Sequence, residues 1–156
     1  MVPSFEVVLY QARHFRHVVV ASGRARAQAA SAGYSRAKVE GNLGFSGLYG
    51  FQEIIEAKAR DLDELLREVR NLRVAEVHVT GDAAMDLVAL NVRQEGKGPK
   101  ITPVESYSRL PRPGTLGLIG ARMFADGIVK EPKEAFPRYF RKSQAEVRSE
   151  GKVRPR

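Results

Sequence analysis

At 156 residues the chain has room for one domain with a single core, and its 43% hydrophobic and 28% charged content is globular rather than disordered. Cysteine is absent, which excludes disulfides, thiolate catalysis and thiolate metal sites, and no apolar run approaches the length of a membrane span. The net charge of +8 favours anionic partners, nucleic acid first.

That charge is unevenly spread. No acid stands between Glu6 and Glu40, a stretch that carries Arg13, Arg16, Arg24, Arg26, Arg36 and Lys38. From Lys130 to Arg156 nine Lys or Arg face four Glu, while the middle is near balance. The opening MVPSFEVVLY has no basic segment leading into a long apolar one, so no signal peptide is expected; the missing cysteines fit an intracellular protein, and a cytoplasmic location is expected.

In chain order, Phe5–Tyr10 (FEVVLY) and Arg16–Ala21 (RHVVVA) are β-branched and aromatic, with a short polar connection between them. The pattern predicts an antiparallel hairpin, and the nearly continuous apolar character predicts a sheet covered on both faces. Ser22–Ala32 is small, basic and Ala-rich, compatible with a helix or a mobile basic loop. Residues 33–50 read as a glycine-rich loop without the spacing or setting of a phosphate-binding fingerprint, and 51–58 is ambiguous.

Asp61 stands at an N-cap position with Glu64 three residues on, and Leu62, Leu65, Leu66 and Val69 follow as one helical stripe. Val74–Thr80 alternates as a strand, with Val77 and Val79 on one side and Glu76 and His78 on the other. Gly81-Asp82 ends it. Ala83–Val92 reads as a helix offering Met85, Leu87, Val88 and Val92 to the core, and Lys100–Val104 as a short strand. A further helix opens at Pro113, lines one face with Leu116, Ile119, Met123 and Phe124, and stops at Gly127. Its Gly117 and Gly120 are spaced for close packing of another backbone.

Catalytic apparatus is hard to find. His14 and His17 flank a predicted hairpin and lack a third ligand nearby, so no metal site is expected. No serine sits in a nucleophile-elbow context. Asp82 and Asp86 suit the start of a helix better than acid–base work. Neither cofactor nor enzymatic activity is expected of the chain.

The segment 134–146 concentrates three rings and three cations behind Pro137. Phe136, Tyr139 and Phe140 are candidate fold anchors, expected to bury on strand 74–80 and helix 113–126. Arg138, Arg141 and Lys142 are candidate contacts for an anion. Residues 1–147 are expected to form one α/β domain, and 148–156 a basic flexible tail.

The sequence PRYFRKSQAE, carried by Pro137, Tyr139, Phe140, Arg141, Lys142 and Ala145, resembles the C-terminal signature of the TsaB family, with Phe140 where that family has leucine. Met123-Phe124-Ala125-Asp126-Gly127, Val77–Ala83 (VHVTGDA) and Asp61–Leu66 (DLDELL) are similar to segments that the family places upstream in the same order. Gln11-Ala12-Arg13 answers to its Asp-Ala-Arg. TsaB is the non-catalytic subunit of the bacterial machinery that makes threonylcarbamoyladenosine in tRNA. The resemblance implies the C-terminal lobe of an actin-like, ribonuclease-H-like α/β fold, a small mixed sheet with packed helices. It implies a TsaD-like catalytic subunit and an associated ATPase as partners, with tRNA as the modified molecule, and no catalytic residues. The family's N-terminal motifs, an Asp-Thr-Ser opening and Gly-Pro-Gly-Ser-Phe-Thr-Gly, do not occur in this sequence. The alternative is a small basic RNA- or ribosome-binding module.

Overall fold

The computed structural model describes residues 4–25, 28–36, 50–95, 97–129, 131 and 133. The elements run α1 (Ser4–Gln11), β1 (His17–Ala25), β2 (Gln28–Arg36), β3 (Phe51–Asp61), α2 (Leu62–Arg70), β4 (Glu76–Thr80), α3 (Ala84–Arg93), β5 (Lys100–Pro103) and α4 (Pro113–Ala125), with a 3-10 turn at Ser106–Ser108.

The described strands form one sheet in the order β3-β2-β1-β4-β5. β2 lies antiparallel between β1 and β3, whereas β1 pairs in parallel with β4, and β4 with β5. The register places Val18 beside His78 and Val20 beside Thr80. A meander of three strands followed by two parallel strands with helical crossovers is the ribonuclease-H-like arrangement, so the fold is that of an actin-like lobe.

Helices cover both faces, which explains the unbroken Val18-Val19-Val20 run. On one face Val19, Ala21, Ile55, Val77 and Val79 meet Leu65, Leu66 and Val69 of α2 and Ala84 and Leu87 of α3. On the other, Val18, Val20, Ala32, Tyr34 and Phe51 meet Phe5, Val8 and Leu9 of α1. Each fully buried aliphatic or aromatic side chain here contributes about 1.5–3 kcal/mol.

The expected hairpin between 5–10 and 16–21 is corrected: the first run is helix α1, not a strand. Phe5, Val8, Leu9 and Ala12 recur at i, i+3, i+4 and i+7 and are all buried in one cluster. Burying that stripe outweighs the small strand preference of valine. The hairpin seen joins β1 to β2, so Ser22–Ala25 and Gln28–Ala32 are strand rather than helix or basic loop. Gly33–Arg36 likewise belongs to β2 rather than to a loop. Gly33 is required there, because a Cβ would meet the Ile55 side chain at 2.8 Å.

Downstream, the expected elements appear close to their predicted limits. Asp61 is the N-cap of α2, but its side chain makes no capping bond. The expected capping box is not formed: Glu64 instead pairs with Lys58 of β3 at 2.9 Å. On α3, Leu87 is buried, whereas Met85 and Val92 face outward rather than into the core. On α4, Ile119 is buried, while Leu116 and Phe124 are exposed, the latter by 76%. Among the described residues a Cβ at Gly117 or Gly120 would meet nothing within 4 Å, so neither glycine serves a close backbone contact with them.

Candidate functional site

Ligands of open α/β sheets bind beyond the carboxyl ends of parallel strands, where the strand order switches. Here that position lies beyond β1 and β4, and one backbone and one side-chain hydrogen bond cross it. The Ala83 N–H donates to the Ala21 carbonyl at 3.1 Å, and the Gly23 N–H donates to Asp82 Oδ1 at 2.8 Å. Gly81 makes this approach feasible: its φ is +100°, and a Cβ there would overlap the Ala21 carbonyl. Asp82 therefore ties the β1–β2 end to the β4–α3 turn and does not cap α3.

A second tie joins α1 to the segment entering α4. Gln11, 9% exposed, donates through Nε2 to the carbonyls of Ser108 and Leu110, both at 2.9 Å. Its Oε1 accepts from the Arg112 N–H at 3.1 Å. Thr80 Oγ1 adds a bond to the Ser108 carbonyl at 3.3 Å. All of the Gln11 bonds go to backbone, so this side chain holds the β5–α4 segment against α1.

The histidines are separated by their partners. His17 Nδ1 lies 3.1 Å from Ser35 Oγ, whereas His14 packs on Phe15, and Phe15 stacks on His78 with centroids 3.8 Å apart. Among the described residues no group of three or more His, Asp or Glu could hold a metal ion. The candidate residues Phe136, Arg138, Tyr139, Phe140, Arg141 and Lys142 lie outside the described residues, as does the tail 148–156.

Two interior charges, the half-buried Glu6 and the fully buried Arg60, went unnoticed in the sequence. The Glu6 carboxyl on α1 is pushed up to about 7, first by burial and then by the negative charge of Glu53. Its Oε2 is buried without a partner among the described residues. Arg60, only 2% exposed, ion-pairs with Glu68 of α2 and donates to the Glu56 carbonyl. The stripe at 5, 8, 9 and 12 would have revealed the helix carrying Glu6; nothing local in β3 marks Arg60 as buried.

The architecture thus defines an actin-like α/β lobe whose strand-end crevice is bridged by its own backbone. No family model and no curated protein matches the chain. Among solved structures it is similar to the crystal structure of an uncharacterized protein with similarity to peptidase YeaZ from Pseudomonas aeruginosa. The TM-score is 0.54 at 14% identity, covering 90% of this chain and 57% of that one. At that identity the likeness shows the fold, and this chain spans little more than half of its neighbour's length. Among the described residues no helix is long and apolar enough to cross a membrane.

Proposed function

We propose that the chain is a TsaB-like, non-catalytic subunit, or the C-terminal half of one, in the threonylcarbamoyladenosine modification of tRNA. The observation that carries this reading is the sheet order β3-β2-β1-β4-β5 with its helices on both faces, matched over 90% of the chain by a protein similar to YeaZ, a name used for TsaB. The order of motifs from Asp61 to Ala145 supports it. The hydrogen bonds that bridge the strand ends support a role without nucleotide chemistry.

Its partners in this role are a TsaD-like catalytic subunit and the associated ATPase. Affinity capture of the tagged chain from cells, with and without a co-expressed N-terminal lobe, tests the assignment. Recovery of either partner is the expected result. Failure to recover both, even with the lobe supplied, overturns it. A second reading, a small basic RNA-binding module, is favoured by one observation: Arg13, Arg16 and Arg36 are exposed at a single corner of the sheet.

A further inference from the structure

We infer that the corner between α1 and β1 is a contact surface for single-stranded or looped RNA, with His14 as a stacking platform and Arg13, Arg16 and Arg36 as phosphate contacts. The inference adds a site to the RNA-binding reading and stands whether or not the chain joins a catalytic subunit.

Four observations meet at this corner. Phe15 and His78 stack into a short column, which the ring of His14 meets at a tilt. Phe15 and His78 are 3.8 Å apart and inclined by 15°, and His14 is 4.0 Å from Phe15 and inclined by 45°. The inner ring belongs to β4 and the middle one is half-buried, so the column is anchored in the fold and ends on the exposed His14. Burial lowers the pKa of the His78 imidazole, disfavouring its charged form.

Three arginines are carried by the backbone beside its outer end. Arg13 and Arg16 flank His14 in the turn, and the Arg36 N–H donates to the Arg16 carbonyl at 2.7 Å, bringing the end of β2 alongside. All three arginines are exposed. The Arg13 guanidinium is already ordered, 4.3 Å from the Tyr10 ring centroid and bonded to the Tyr10 carbonyl at 3.0 Å.

The carboxylate nearest the column is committed elsewhere. Glu76 pairs with Lys100 at 3.1 Å and accepts from Thr102 Oγ1 at 2.8 Å. Glu105, exposed beyond β5, is the other acid whose charge reaches His78. An exposed ring on a fixed stack, bordered by arginines, offers a face to a base and charge to its phosphates.

The test uses the full chain, a fluorescein-labelled single-stranded RNA of about 12 nucleotides, and heparin as a polyanion without bases. Three phosphate contacts on a single strand correspond to a salt slope of about −2, so raising salt from about 50 to about 200 mM costs about 16-fold through this corner. The triple variant R13A/R16A/R36A is expected to flatten the wild-type slope by about 2. His14→Ala is expected to weaken RNA binding about tenfold while leaving heparin binding unchanged. Should the triple variant fail to fold by thermal melting, Arg16→Glu alone carries the charge test, with a smaller loss in the same direction. The inference is overturned if RNA does not bind at low salt or if the triple variant keeps the full slope. It is equally overturned if His14→Ala affects RNA and heparin alike, if poly-glutamate competes as well as RNA, or if replacing Arg138, Arg141 and Lys142 alone abolishes binding.

Discussion

Glu6→Gln isolates a single buried titration. In the fold the Glu6 carboxyl is raised from 4.5 to about 7, chiefly by burial and secondarily by Glu53. A raised carboxylate pKa means that the folded state binds more protons than the unfolded state between those two values. Stability from this group is therefore greatest below about pH 4.5 and declines as pH rises through about 7. Each tenfold step in the proton equilibrium corresponds to about 1.4 kcal/mol, so the full decline amounts to about 3 kcal/mol. Glutamine keeps the size and removes the charge. Urea unfolding of both proteins at pH 5 and pH 8 is the assay, with other ionisable groups cancelling in the comparison. Wild type should lose about 2–3 kcal/mol more than the variant between these values. If the two lose the same amount, Glu6 is not the buried acid described above. A larger loss in the variant would refute the sign of the argument.

Other outcomes follow from the ties and the buried ion pair. Gln11→Ala removes the side-chain partner of the Leu110 carbonyl and the Arg112 N–H and leaves the Ser108 carbonyl to Thr80, so it should cost about 2–3 kcal/mol in thermal or chemical unfolding, with faster amide exchange in residues 108–112. Gly81→Ala places a Cβ against the Ala21 carbonyl at a positive φ, so a loss of at least about 2 kcal/mol is expected, against a gain of about 0.5–1 kcal/mol for Gly117→Ala, whose Cβ would meet nothing within 4 Å among the described residues of the structure. Glu68→Ala strands the buried Arg60 guanidinium and should destabilise by about 2 kcal/mol, less than a fully buried pair would, because Glu68 is one-third exposed; urea midpoints of E68A and of E68A/R60M separate the loss of the pair from the unpaired charge.

The second half of the chain was legible because each element carries an unambiguous period. Leu62, Leu65, Leu66 and Val69 can only align on a helix, and Val77 and Val79 only on a strand. The first half carried conflicting signals. In FEVVLY, valine content argued for a strand while positions 5, 8, 9 and 12 argued for a helix, and tertiary burial decided between them. β2, QAASAGYSR, has almost no intrinsic strand character. It is extended because β1 and β3 pair with it on both sides, a cause that lies outside the segment. The same reason hid the Gln11 tie, which joins residues almost a hundred positions apart. Its match to the aspartate of an Asp-Ala-Arg pattern placed attention on the right residue, but not on its structural work.

The crossing of backbone at Gly81 also bears on how this fold can change. The ends of β1 and β4 are where lobes of this architecture most readily gain a binding function. Here the Ala21–Ala83 and Gly23–Asp82 bonds occupy that ground, and Gly81 admits no side chain. Any lineage or designer seeking a nucleotide site would have to loosen the lobe before a ligand could repay the loss. New contacts are more accessible on the outer surfaces, where substitution leaves the core untouched.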